Sequence, residues 1–534
     1  MSRTAHKISF QQSLHEQKLE AAQLYEFAMT AQTPSAKSRM AGPGGADGNY
    51  HIQNQAAFLK SIAFGRMMEA NDPAVAAAAN RLVNCVNVGQ MRPEPDTGNP
   101  AIDRMISELF DEYAESPELC DSTGRWNYET QSDVAFRRIM IDGDILPVPD
   151  ETGAVLHMEA HRCQTPARGK KFRGVCGVET KVNRPYQYWL TKTNTGQRHV
   201  VMVKDVEPRR AQNEDGWPNI FHCYNPKMFT LFRGIGALGA VGTSASRRDD
   251  LEFATVLKAQ TANCVTFTES VEHEHLLRML LEAGQDEEDN ADVGPTRFEL
   301  DAAGYEMATA DIHPGRVLRP KLGRKLSMES PNIPGEGQLE LNLLLLQYLA
   351  MCWDLPLMVL LLDARMANFS SFRGIMDQSR EAFRSHQRWF GACYHRPRYR
   401  NWLRIQLATQ KELAAFVRAE QPDDLRRSKL FRHSWSAPAY RYYHPVDDAT
   451  GDLIQLANSM TTYDQFARRR HSMSGESLRD SIISFNVETY RRILDEKAEL
   501  LEEFGDRIPG LQINEHFRFS LPAMSGIHQT VSET

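Results

Sequence analysis

The chain has 534 residues, 41% of them apolar, and a formal net charge of -7 from 62 Lys and Arg against 69 Asp and Glu. That length predicts several domains or lobes, and the apolar share is enough to bury sizeable cores, which excludes a disordered chain. The acidic balance excludes a protein that grips nucleic acid by general basicity, because each phosphate contact needs its own Lys or Arg.

Residues 1 to about 50 are polar and end in the glycine-rich AGPGGADGNY, which reads as a flexible arm, with order beginning near His51. The opening MSRTAHKISFQQ lacks the apolar core of a signal peptide. From Ala57 to Val88 the apolar spacing predicts two helices, joined where Asn71, Asp72 and Pro73 supply a cap and a helix-opening proline. Between Asn127 and Pro226 a helix around Ser132 to Ile141 precedes short runs (ILPVP, AVLHMEAH, YQYWLT, HVVMV) that read as strands between turns.

After Gly242 a helix is predicted from Ser246, as its cap, to about Thr266. Residues 271 to 335 are expected to hold a helix, the acidic loop Asp286 to Asp289, short strands, and five cations, Arg316, Arg319, Lys321, Arg324 and Lys325. A leucine-rich helix follows, and Pro356 should stop it near Asp354. The stretch from Asp363 to Phe372 has no helical or strand period, and a loop of this kind between two long helices points to function. A long helix is expected from about Phe372 to Tyr394, with Arg373, Arg380, Arg384 and Arg388 at near-helical spacing. That stripe suits subunit salt bridges better than moving DNA, which a dense row of cations would hold. Beyond His444 the chain reads as helical to Gly505, after an amphipathic acidic run from Tyr490 to Phe504.

The eight cysteines are scattered, with no C-x-x-C pair and no zinc-type His spacing, so they read as reduced thiols, and no metal or cofactor is expected. Leu339 to Leu362 is long enough to span a bilayer, yet Glu340, Asn342, Gln347, Asp354 and Pro356 favour a buried or subunit-facing helix. Gly234, Gly236 and Gly239 spell G-x-G-x-x-G, but no acidic residue closes a βαβ unit, so they read as a tight turn or close backbone packing. His273 and His275, two apart on a helix, point away from each other and read as a solvated face. ARGKK at 167 to 171 lacks the rest of a phosphate-binding loop, and no G-x-S-x-G elbow occurs. A nucleotide-dependent enzyme built on the 234–239 glycines, or a capsid or baseplate component without a channel, are the alternative readings.

Several stretches, in order, resemble the lambda-type family of phage portal proteins, from about Asn71 to Glu503. NDPAVAAAANRLVNCVNVG is similar to the family's early helix. CDSTGRWNYETQSDVAFRRIMIDGDILPV resembles its D-x-x-G segment and D-G-E element, here Asp142, Gly143 and Asp144. GVETKVNRPYQYWL resembles its strand pair, and RGIGALGAV, from Arg233, its R-G-x-P-x-L turn. HPGRVLRPKLGRKLSMESPNIPG looks like its pair of turns before the leucine helix, and Asn368, Phe369, Ser370, Ser371 and Arg373 its NYSS-x-R signature. Phe369 stands where the family has Tyr, Asp144 where it has Glu, and the proline of the R-G turn is missing.

The resemblance implies an α+β portal fold that acts as a non-enzymatic conduit for double-stranded DNA. It assigns a flexible arm to 1–50, a mixed wing to 51–245, a stem helix to 246–270, a small α/β clip to 271–335 and a second stem helix to 336–354. The tunnel-loop region is then 355–372, the kinked long helix and more wing 373–444, a helical crown 445–505 and a tail 506–534. Asp363, Arg365, Asn368, Phe369, Ser370 and Ser371 would face DNA. Leu344, Leu345, Tyr348, Arg380 and Arg384 would pack between subunits, and the five clip cations would dock partners. Those implied are a ring of about twelve copies, the terminase, a head-completion adaptor, and the major capsid and scaffolding proteins, with no membrane. A dozen acidic subunits would carry a charge on the order of -80, which discourages tight capture of DNA.

Overall fold

A computed structural model of the chain describes residues 55–87, 91–166, 172–182, 184–191, 206–229, 231–240, 242–262, 266–271, 297–300, 306–309, 324–329, 336–363, 368–440 and 442–504. The predicted arm, the HVVMV run, the ARGKK run, the acidic loop, His273 and His275 lie outside these residues. The chain divides into two compact units, residues 244–346 and the remainder.

The larger unit opens with α1 (Gln55–Asn71) and α2 (Pro73–Asn87). Between them the Asp72 carboxylate accepts from the backbone N–H of Ala74 at 2.8 Å and Val75 at 3.3 Å, and Pro73 opens the second helix without an N–H to waste. Strand β1 (Arg92–Pro95) and helix α3 (Pro100–Glu115) follow. On α3, Ile102, Ile106, Phe110 and Tyr113 recur on one face and build a core with Tyr399, Trp402 and Leu403, the Phe110 and Trp402 rings meeting edge to face at 5.2 Å.

Helix α4 (Tyr128–Asp142) starts on an Asn127 cap and ends at Gly143, whose φ of 104° suits glycine. It feeds β2 (Asp144–Pro149), which is buried along its whole length and pairs antiparallel with β3 (Val155–Glu159) on one side and β8 (Cys223–Tyr224) on the other. Burial on both faces is why ILPVP is a continuous apolar run. A second sheet joins β4 (Gly174–Val175), β5 (Val178–Lys181), β6 (Arg184–Thr191) and β7 (Val206–Arg210) in sequence order, all antiparallel. Leu146, Val148, Met158, Val178, Tyr188 and Leu190 share one core between these sheets.

Helix α5 (Gly242–Ala262) starts four residues before the expected Ser246 cap and ends four short of Thr266, where β9 (Thr266–Val271) already begins. The small Gly242, Thr243 and Ser244 fit a first helical turn, so the chain has no need to delay to Ser246. In the smaller unit β10 (Arg297–Leu300) pairs with β11 (Glu306–Thr309), and β12 (Arg324–Glu329) pairs antiparallel with β9. Helix α6 (Glu336–Cys352) is the leucine-rich one, and none of the described helices is long and apolar enough to cross a membrane.

The long helix differs most from its expected form. It begins at Phe369 as α7 (Phe369–Phe390), passes through one π-helical turn at Gly391–His395, and continues as α8 (Arg396–Thr409). The expected end near Tyr394 falls inside the π turn, and the helix runs on through Pro397 because the backbone at His395 and Arg396 stays helical. Strand β13 (His433–Ser436) returns to pair with β1, and α9 (Pro445–Ala457), α10 (Tyr463–His471) and α11 (Gly475–Phe504) complete the described chain. The architecture is α+β, with every described sheet antiparallel.

Candidate functional site

The segment after α6 contains more helix than its sequence period indicated. Asp354, with φ 52°, ends α6, and Pro356 precedes a short helix at Leu357–Leu361 that closes on Leu362 in the left-handed region. Asn368 is the N-cap of α7: its side chain accepts from the Ser371 N–H at 2.8 Å, and its carbonyl accepts from Phe372 at 2.9 Å. The predicted loop from Asp363 to Phe372 therefore stops at Asn368, and Phe369, Ser370 and Ser371 lie in the first helical turn. Ser370 and Ser371 are exposed there, whereas the Asn368 side-chain oxygen is committed to its own helix. An Asn immediately ahead of an amphipathic helix is a cap signal in its own right. Asp363 is half-buried, and Arg365 lies outside the described residues.

Of the arginine stripe, Arg373 reaches Asp448 at 2.8 Å, Arg384 bonds Glu381 one turn back, and Arg380 lies 3.9 Å over the Tyr443 ring and near Asp377. Asp448 and Tyr443 tie α7 to α9 and to the segment before it, while Glu381 and Asp377 lie on α7 itself. Arg380 and Arg384, expected between subunits, thus already have partners within their own chain. Leu344 and Tyr348 are 41% and 44% exposed on α6, and Leu345 is half-buried. Arg324 and Lys325 open β12 opposite Val271 and Ser270, while Arg316, Arg319 and Lys321 lie outside the described residues. No group of carboxylates, histidines and cysteines suited to a metal occurs among the described residues.

The glycine run serves close packing. A Cβ on Gly234 would stand 1.8 Å from the Gly143 carbonyl oxygen, and one on Gly236 would stand 2.1 Å from that of Ile141. This contact brings the two quoted elements, Asp142–Asp144 and Arg233 onward, together in a pairing no local pattern reveals. Arg233, fully buried, donates to both Asp144 carboxylate oxygens, at 2.5 and 3.0 Å, and to the carbonyls of Ala160, Cys163 and Cys176 at 2.6–3.0 Å. His222 adds a bond to Asp144 at 3.1 Å. Burial works against the Asp144 charge, yet Arg233 and His222 hold the carboxyl far below the usual range.

A second buried network centres on Arg398, which donates to the Tyr394 hydroxyl at 2.7 Å, the Gln131 side chain at 2.6 Å and the Cys120 carbonyl at 2.9 Å. His157 meets that hydroxyl at 2.9 Å, and His395 meets the Tyr128 hydroxyl at 2.8 Å. Burial first, and then the Arg398 charge, push both histidines down to about 3 from 6.5. They stay neutral in the fold while the unfolded chain protonates them near pH 6.5. Their contribution to stability is therefore complete above pH 6.5 and lost as the pH falls below it, whereas Asp144 stays ionised through the same range. The thermal midpoint of the larger unit is expected to drop steadily from pH 6.5 to about pH 4.5. A midpoint that stays level across that interval would refute this account.

A family model for the phage portal protein, lambda family, matches residues 38–387, more than half of the chain. Among solved structures the chain is similar to the neck of a native gene transfer agent particle computed with C12 symmetry, at 11% identity and a TM-score of 0.37, over 76% of this chain and 92% of that one. It is similar also to the neck of an empty gene transfer agent particle computed with C6 symmetry, at 10% identity and a TM-score of 0.38, with the same coverage. No curated protein matches. The extent of the family match settles the family: the chain belongs to the lambda family of phage portal proteins.

Proposed function

We propose that about a dozen copies of this chain close into a ring at one capsid vertex, an open conduit through which double-stranded DNA is packaged and later ejected. One observation carries the ring. Along α6, Leu339, Leu341, Leu343 and Leu344 are 41–52% exposed and Met351 is 63% exposed, a row too apolar for a solvated surface and left uncovered by a single chain. Neighbouring copies supply the cover.

In this reading the turn from Leu362 to Asn368 and the start of α7 form a collar around the duplex. The exposed hydroxyls of Ser370 and Ser371 and the positive end of the helix offer phosphates short-lived contacts, as translocation requires. Asn368 acts by holding that turn in place. Residues 271 to 335 meet the terminase and then a head-completion adaptor, the wing meets the major capsid and scaffolding proteins, and the energy comes from the motor's ATPase. This chain then carries out no catalysis of its own.

End-on electron images of the purified protein are expected to show rings with an open centre; compact single particles at every concentration would remove the proposal. Asn368→Ala with Ser370→Ala is expected to fray the first turn, by about 1 kcal/mol for the lost cap, and to leave rings intact while DNA retention falls. Wild-type packaging by that double variant would unseat the collar assignment.

A further inference from the structure

The π-helical turn has a consequence for charge. The N–H of Arg396 donates to the Gly391 carbonyl, five residues back, so one extra residue is wound into the helix. At roughly 100° per residue an unbroken helix would carry Arg396 and Arg400 about 120° and 160° round from Arg384. The inserted residue takes back about 100°, which leaves Arg384, Arg388, Arg396 and Arg400 within about 60° of one another over roughly 24 Å. The geometry bears this out: Arg384, Arg388 and Arg396 line one groove of about 790 Å³ between the helix, β13 and α10, and Arg396 and Arg400 line the cavity beside it.

Arg468 and Arg469 on the opposite rim already pair, with Glu94 and Asp464 and with Asp452, as Arg384 does with Glu381, and Met91, Ala392, Trp435 and Pro438 give the groove an apolar floor. Among the described residues no carboxylate lies within ion-pair distance of Arg388 or Arg396. Burial first, and then the charges of Arg396 and Arg400, push the neighbouring His433 down to about 4.

The same chain carries the complement. Helix α11 exposes Ile483, Val487, Tyr490 and Leu494, spaced as one apolar stripe, at 45–68%. Asp495 and Glu499, also exposed, stand with Glu488 in an acidic row about 130° round the helix from that stripe, Glu488 being bonded to Arg492. We propose that α11 of a second copy docks in the groove, its apolar stripe on the Trp435 floor and its Asp495 and Glu499 against Arg388 and Arg396 on one rim. An apolar floor with charged rims suits such a helix better than a DNA duplex, which would leave the floor unused. Two different, complementary surfaces on one chain make a head-to-tail contact, the kind that closes rings. The inference rests on the ring reading and names one of its contacts.

The test uses two full-length variants, Arg388→Glu with Arg396→Glu in the groove, and Asp495→Arg with Glu499→Arg on the helix. Ring yield is measured by sedimentation and folding by circular dichroism. Each variant alone is expected to lose ring yield at least tenfold while keeping its melting profile. An equal mixture should regain rings, because each then offers the other a matching surface on both sides. Rings at wild-type yield from either variant, or no recovery in the mixture, would overturn the docking. So would a groove variant that keeps its rings but loses binding of a labelled duplex oligonucleotide, which would make the groove a nucleic-acid site. If the wild-type chain itself forms no ring, the ring reading fails instead.

Discussion

Arg233→Ala will destabilise the larger unit by about 3–5 kcal/mol, the range for removing one member of a buried ion pair. The loss is large because the guanidinium has no solvent to replace it: Asp144 is left charged in the interior, and the carbonyls of Ala160, Cys163 and Cys176 lose their donor. An exposed pair of similar geometry gives the contrast. Arg432 and Asp96 meet at 3.2 Å with both side chains at least 60% exposed, and Arg432→Ala is expected to cost under about 1 kcal/mol. Urea melts of the two variants check the pair. Equal losses would mean that the Arg233 site is better hydrated than its burial indicates.

Leu344→Glu will abolish the ring without unfolding the subunit. Leu344 is 41% exposed in the single chain, so the carboxylate can reach water there and the folding cost is expected within about 0.5 kcal/mol. In a closed ring the same position would place an unpaired charge under each neighbour, at several kcal/mol per contact, repeated around the assembly. Electron images and melting curves on one preparation decide it. Well-formed rings would mean that α6 faces solvent in the assembly, and a collapsed melt would mean that Leu344 is needed within the subunit.

What the sequence revealed was mostly local. Asp72 and Pro73 announced the break between α1 and α2 because a cap and a helix-opening proline act within four residues. ILPVP announced a strand because it is a short apolar run between turn residues; that both its faces are covered came only from the fold. The Arg233 and Asp144 pairing was hidden, since the two residues are 89 positions apart and neither stands in a pattern that implies the other. The π turn was hidden for a different reason: an extra residue shifts the helical phase, so the arginines before and after it look misaligned when counted at 3.6 per turn. Asn368 is legible as a cap, but the stretch from Asp363 to Phe372 is too short to show a helical period, so nothing in its spacing marks where the loop stops and the first turn begins. Of the residues expected to bind partners, most of the clip cations fall outside the described structure.

The glycine contact between residues 143 and 234 bears on any attempt to recombine this protein with its relatives. Because each backbone occupies the space where the other's first side-chain carbon would stand, the two strands of sequence form a matched set despite lying far apart in the chain. A crossover placed anywhere between them would join halves whose spacing was set in different parents. Chimeras should therefore exchange both segments together, with junctions before α4 and after Gly239.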